Sequence, residues 1–226
     1  MYTSVPLFLE EPSEGGVNRR GTVNKMLEFD REYGENIIGI DEAGRGPLAG
    51  PVVASAVKII NYVEEFHMIN DSKKLTEKKR EFLFDIILEN CEVGVGISNE
   101  KEIDDINILN ATFLAMRRAV EDLEASGSTF DLALIDGNHK IREYDKPQEF
   151  VIKGDGKSLS IAAASIIAKV TRDRIMVKYD ELYPEYGFAK HKGYGTKAHR
   201  EALLKYGKTK CHRESFLTKI LDPTLF

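Results

Sequence analysis

Cysteine is scarce in this chain of 226 residues: Cys91 and Cys211 are the only two, and they stand far apart. Two thiols cannot build the disulfide framework of a small secreted domain, and without a secretory leader reduced thiols in a cytosol are expected. Long apolar runs are missing as well. A membrane helix needs roughly 18 to 20 consecutive apolar residues, whereas the longest candidate, 161–168, contains Ser165 and ends at Lys169. A cytoplasmic protein with no membrane partner is expected. An excess of positive charge is also absent. The 32 Lys and Arg against 37 Asp and Glu leave a net −5, which argues against a protein that simply coats nucleic acid electrostatically. No cluster of Cys and His has metal-ligand spacing; His139, His191, His199 and His212 read as substrate-edge or surface residues.

The apolar share of 42% and charged share of 31% fit one ordinary globular domain. A single domain of this size buries roughly 70% of the surface its unfolded chain exposes, so no metal or disulfide staple is required. A monomer is expected. Residues 1–35 begin with a stretch containing Glu10, Glu11, Pro12, Ser13, Glu14, Gly15 and Gly16 and read as a flexible N-terminal extension. Residues 36–226 carry the domain. Ile37 to Ile40, Pro51 to Ile60, Cys91 to Ile97, Phe130 to Ile135 and Glu149 to Ile152 read as strands. Apolar residues recur at helical spacing after Leu75, from Ile103 to Leu123, and from Leu159 to about Leu182, before Pro184. The pattern predicts an α/β domain with a mixed five-stranded sheet and helices on both sides. Residues 187–219 form a basic C-terminal segment with nine Lys and Arg against Glu201 and Glu214.

Three places in this pattern carry acids at chemically useful positions. Asp41 and Glu42 end the first strand, and Asp136 ends the fourth. Strand ends are where open sheets gather ligands, because pairing stops there and side chains can converge. A strand-terminating Asp before a glycine turn is the bland alternative. Asp173 shares a helix face with Ile166, Val170 and Val177. A carboxylate on such a stripe needs an ion-pair partner, such as Arg172 or Arg174, or a cation. Four hard oxygen donors suit Mg²⁺ or Mn²⁺ better than zinc. Two such ions about 4 Å apart can activate a water and stabilise a leaving oxygen in phosphodiester hydrolysis.

With Ile37-Ile38-Gly39-Ile40-Asp41-Glu42-Ala43-Gly44-Arg45-Gly46-Pro47-Leu48-Ala49-Gly50-Pro51 the chain resembles ribonuclease HII. The segments 71–75, 134–137, 153–158, 163–174 and 191–196 are similar to the family's in the family's order, so the resemblance covers about residues 36 to 217. It implies a ribonuclease H-like fold. It also implies an endonuclease that hydrolyses the RNA strand of RNA-DNA hybrids and cuts 5′ of ribonucleotides embedded in duplex DNA. By position Asp41, Glu42, Asp136 and Asp173 would be its catalytic, metal-binding acids. The resemblance further implies that Gly44, Arg45, Gly46 and Tyr194 read the ribose 2′-OH. Glycines admit close backbone approach, and that hydroxyl distinguishes RNA from DNA. Lys73 and Lys157 could extend a track for the phosphate backbone. Arg45 between the two glycines, and the short tail, point away from the related ribonuclease HIII type.

Other motifs fail on context. Gly44-Arg45-Gly46-Pro47-Leu48-Ala49 fits a dinucleotide-binding pattern, but that pattern should open a helix, and Pro51 to Ile60 reads as strand. Gly156-Lys157-Ser158 is preceded five residues earlier by Val151, where a phosphate loop needs glycine. The serious alternative is a non-catalytic nucleic-acid binding module built on the basic segment. Converging carboxylates oppose it, because without metals they would repel the ligand.

Overall fold

Five strands, β1 (Ile37–Ala43), β2 (Val52–Ile59), β3 (Cys91–Ser98), β4 (Leu132–Asp136) and β5 (Gln148–Val151), form one sheet in the order β3-β2-β1-β4-β5. The computed structural model describes residues 24–69 and 75–221. The central strand β1 runs antiparallel to β2 and parallel to β4, and β5 extends the parallel half. This is the mixed five-stranded sheet the sequence predicts. On one face α3 (Glu100–Ala125) packs against β2 and β3; on the other, α4 (Leu159–Leu182) packs against β1 and β2, with α2 (Glu77–Asn90) against α4.

Strand parity assigns the two faces. Ile38, Ile40, Val52, Ala54 and Ala56 enter the cluster under α3, while Val57 joins Ala163, Ile166 and Ile167 of α4. Gly39 therefore faces α4, and the approach is close. A Cβ on Gly39 would lie 2.1 Å from the carbonyl carbon of Ser160, so no other residue fits without moving the helix. The start of α4 is capped twice: the Ser158 hydroxyl accepts from the Ile161 N–H, and buried Asp30 accepts from the N–H and hydroxyl of Ser160.

Asp30 belongs to α1 (Lys25–Arg31), so part of the expected extension is a helix, packed on α4 and started by the Asn24 side chain. Sequence composition did not reveal it because its only buried residue is an acid. The second long helix is also not continuous. Asn107 has φ 67° and ψ 162°, and its side chain accepts from the N–H groups of Leu109 and Asn110, restarting the helix. Among the described residues no helix is long and apolar enough to cross a membrane.

The basic segment is a small unit in its own right. Its helices α5 (Phe188–His191), α6 (Lys197–Tyr206) and α7 (Glu214–Leu221) surround Phe188, Leu203, Cys211 and Leu217, and this cluster is stitched to Ala49 and Met176. His199 and His212 sit inside it, 0% and 3% exposed, which corrects their reading as surface or substrate-edge residues. A lone polar residue in a charged stretch gives no period by which its burial could be read.

Burial, and then His199 beside it, push the His212 pKa down to about 4, and burial lowers that of His199. Both folded values lie below the unfolded value of about 6.5. The unfolded state thus binds more protons between those limits, and these histidines contribute stability that is lost as pH falls from about 6.5 toward 4. Burial raises the pKa values of Asp30 and Glu100, which act with the opposite sign. The expected outcome is a steeper fall of the melting temperature across that acid range in the wild type than in His212→Gln. Parallel curves would show that His212 does not titrate on unfolding.

Candidate active site

β1 and β4 pair in parallel with Ile40 opposite Ile135, so one residue further on Asp41 and Asp136 stand side by side. Asp136 ends β4 as expected, whereas β1 does not end at Asp41 and Glu42 but runs on to Ala43, held by its pairing with β2. Parity turns both toward α4, as it does Gly39 and Leu134. Asp41 is 5% exposed, and its Oδ1 accepts from the Glu42 N–H at 2.7 Å. Burial raises its pKa well above the carboxylate range, and Glu42 and then Asp136 add repulsion; the hydroxyl of Ser165 and the Glu42 N–H act the other way. The Asp136 Oδ1 accepts from the N–H groups of Gly154 at 2.7 Å and Asp155 at 3.4 Å, in a short 3₁₀ turn, Gly154–Gly156.

Glu42 has the other parity, the side of Ile38 and Ile40, yet lines the same opening, at a point where β1 is still paired with β2 but its register with β4 has ended. Asp41, Glu42, Gly44, Arg45, Asp136 and Tyr194 line one cleft of about 490 Å³, together with Arg80, Ser165, Lys169 and Arg172. Glu42 also lines a smaller hollow beside Thr112, Met116 and Asp136 on the α3 side. Its Oε1 lies 3.6 Å from Nη1 of Arg45.

Helix α4 supplies a stripe at four-residue spacing: Ser165 bonds Asp41, Lys169 lines the cleft, and Asp173 is held by Lys169 at 2.7 Å. Asp173 is buried, but it does not line the cleft, and its partner is Lys169 instead of the neighbouring arginines. Arg174 turns to Glu81 and the Phe84 ring. Val177 is exposed, so the apolar stripe ends before it. Lys157 is exposed at the end of the 3₁₀ turn and does not line the cleft either. Lys73 lies outside the described residues.

Two arginines that the sequence did not single out as site residues hold the walls. Arg172 donates to the carbonyls of Pro51, Lys192 and Ala49, and Arg213 to those of Gly50, Arg45, Pro47 and Gly44. Both side chains are fully buried. Gly44 has φ +100°, and a Cβ there would be 2.1 Å from Nε of Arg172. This close contact brings Gly46 beside the loop tyrosine: its Cβ position is 3.7 Å from Cε1 of Tyr194. The tyrosine ring is half-exposed at the cleft.

A family model described as Ribonuclease HII matches residues 38–219. The chain belongs to the ribonuclease HII family. It is 60% identical over 201 residues to a ribonuclease HII of Fusobacterium nucleatum, covering 88% of this chain and 93% of that one. The ribonuclease HII in the PCNA:RNase HII complex from Archaeoglobus fulgidus superposes with a TM-score of 0.64 at 26% identity, over 79% of this chain and 94% of that one. Bst ribonuclease HIII in complex with Mn²⁺, at 18% identity, shares the fold with a TM-score of 0.66 over 90% of this chain and 75% of that one. This ribonuclease HII relative is thus a hydrolytic endoribonuclease with a ribonuclease H-type fold, which excludes the non-catalytic binding module. The family is divalent-metal dependent.

Among the described residues no three acidic, histidine or cysteine side chains are close enough to enclose an ion as they stand. The donor chemistry nevertheless fits a hard divalent cation: the cleft holds carboxylate oxygens and hydroxyls, and crowding of Asp41 with Glu42 and Asp136 is the repulsion that a cation relieves. Asp41→Asn should accordingly stabilise the metal-free protein, by about 2–4 °C in melting temperature per kcal/mol of repulsion removed. It should also reduce the further rise that Mn²⁺ produces. A variant less stable than the wild type would contradict the crowding. Arg213→Met should cost roughly 3 kcal/mol or more by orphaning buried carbonyls, a fall of about 6–12 °C. Arg213→Lys should fall between, having three donors for five.

Proposed function

We propose that this protein hydrolyses the RNA strand of RNA-DNA hybrids and cuts 5′ of ribonucleotides embedded in duplex DNA, using Asp41, Glu42, Asp136 and Asp173 to hold Mg²⁺ or Mn²⁺. The observation that carries the reading is the shared cleft: three of the acids open onto the same space as Gly44, Arg45 and Tyr194. A phosphodiester placed over the acids would thus have its sugar beside the glycine turn and the tyrosine ring. The bound ions would supply activation of a water and stabilisation of the leaving oxygen.

The remaining steps belong to side chains. Ser165 and the Glu42 N–H hold Asp41 in one orientation, and the 3₁₀ turn does the same for Asp136, so two carboxylates are fixed before any ligand arrives. Asp173 would exchange Lys169 for the ion, and the freed ammonium, already at the cleft, would meet the substrate phosphate. Arg45 and Gly46 are exposed, and because Arg213 already occupies the Gly44 and Arg45 carbonyls, the N–H groups of this turn would be the partners of the 2′-OH, which deoxyribose lacks. The Tyr194 ring would pack on the sugar next in the strand.

Cleavage of a duplex carrying one ribonucleotide, against an all-DNA control, tests the substrate assignment; the product ends report whether the cut is on the 5′ side. EDTA should abolish cutting and Mg²⁺ or Mn²⁺ restore it, while Asp136→Asn should keep the fold and lose at least about 100-fold in rate. Retained cutting in Asp136→Asn would sink the metal assignment. Tyr194→Ala should impair cutting at a lone ribonucleotide more than within a long hybrid, by roughly tenfold for a lost stacking contact, and Tyr194→Phe should retain most of it. Equal losses on both substrates would leave Tyr194 a general binding residue.

A further inference from the structure

The loop that presents Tyr194 is fastened by a chain of hydrogen bonds whose direction can be read atom by atom. The Thr209 N–H, which can only donate, points to Nδ1 of His212 at 3.0 Å. The Tyr194 carbonyl, which can only accept, lies 3.0 Å from Nδ1 of His199. Between them the two Nε2 atoms face each other at 3.0 Å, fully buried. Only one assignment satisfies every contact. His212 accepts at Nδ1 and carries its proton on Nε2; His199 accepts that proton's hydrogen bond at Nε2 and carries its own on Nδ1. Either opposite tautomer, or a proton added to either ring, sets two donors or two lone pairs against each other.

The chain links the two walls of the cleft. His212 precedes Arg213, and this segment pairs with the strand-like stretch at Ala49: the Gly50 N–H donates to the Cys211 carbonyl and the Arg213 N–H to that of Leu48. At the other end the Tyr194 carbonyl also accepts from the Thr196 N–H, and Gly193 is tied to the Leu48 N–H and to Nδ1 of His191. Around the pair stand Tyr186 and His191, the latter stacked 4.6 Å from His199, with Cys211 and Thr209 on the segment before α7. Met176 and Tyr179 contribute from α4. The electrostatic influences on the pair are other imidazoles, His191 on His199 and His199 on His212.

We propose that His199 and His212 are positioning residues for the reaction, a neutral pair of defined tautomers that sets the Tyr194 backbone against the Gly44–Gly46 turn. The proposal rests on the assignment of Tyr194 to sugar recognition. His199→Asn places an amide nitrogen near the position of Nδ1 and can still donate to the Tyr194 carbonyl; His199→Leu fills the site and cannot.

Two measurements on the full-length protein test this. Long-range proton–nitrogen spectra of the imidazoles should show His199 protonated on Nδ1 and His212 on Nε2 in the neutral range, with no metal or substrate added. The reverse pattern, or a charged ring at neutral pH, would overturn the proposal. On a duplex with a single ribonucleotide, His199→Leu should lose about tenfold in kcat/KM, the value of one buried hydrogen bond, and His199→Asn should recover most of it. In a Tyr194→Ala background, His199→Leu should cause no further loss, whereas a residue that acts only on stability would cost the same in both backgrounds. Additive losses would therefore overturn the positioning role even if the tautomers are as stated. A silent Tyr194→Ala would instead remove the assignment of Tyr194, and with it this role, while the spectra would still report the hydrogen-bond chain. If His199→Leu fails to fold, the same cycle run with His212→Leu, which removes the donor to Nε2 of His199, and the wild-type spectra decide.

Discussion

At Gly39 the backbones of β1 and α4 come so close that a Cβ would overlap the Ser160 carbonyl carbon. That contact fixes the phase of everything further along both elements. Two residues beyond Gly39 on the same face is Asp41, and five residues beyond Ser160 on the helix is Ser165, whose hydroxyl meets it. The parallel register with β4 then sets Asp136 beside Asp41. A strand rises about 3.3 Å per residue and a helix 1.5 Å, so even a small shift of α4 would part the hydroxyl from the carboxylate. Asp30 and Ser158 cap the helix start, and this secures the contact at the end opposite the site.

Placing like charges together costs stability, and the fold meets the cost in two ways. Each of the paired acids accepts a backbone N–H, and cations stand close by: Lys169 lines the cleft and holds Asp173, and Arg45 lies near Glu42. The walls are treated differently. Between Gly44 and Pro51 the Leu48 carbonyl accepts from the Arg213 backbone N–H, while those of Gly44, Arg45, Pro47, Ala49, Gly50 and Pro51 are collected by the side chains of Arg172 and Arg213. A guanidinium suits this task because its five donors radiate in one plane and stay charged when buried. Glu100, also buried, is the nearby acid that offsets both arginines.

Much of the fold was legible in the sequence because its signals are local. The long helix from Leu159 to Leu182 is observed with those bounds, and β3 within one residue of the expected end, since period and bounding residues lie within the element. Asp136 ends β4 as its glycine turn suggests, while β1 runs past Asp41 and Glu42 to Ala43 because β2 continues to pair with it. What the sequence hid are pairings between distant segments. Arg213 reads as one more charge of a basic stretch until the fold carries it to Gly44. Lys169 was passed over as the end of an apolar run, although it is one helical turn from Asp173. Asn107 resembles any polar residue of a helix face, and only its backbone angle shows that the helix breaks there.

The basic segment shows the limit of charge counting. Its nine Lys and Arg give a local +7, but these charges are not equivalent. Arg213 satisfies four carbonyls in the interior and is not available to a phosphate. Lys192 and Lys197 meet Glu77 and Glu201 at 3.9 and 3.8 Å, and Lys208 pairs with Glu214. Ion pairs at the surface are worth only about 0–1 kcal/mol, so the well-exposed Lys197 and Lys208 can leave a carboxylate for a phosphate at little cost. Lys192 also donates to the Ala189 carbonyl, and its side chain is mostly covered, so it is less free to move. The charges that hold the cleft walls, on Arg172 and Arg213, are thus buried and fixed, whereas those of Lys197 and Lys208 are exposed and exchangeable.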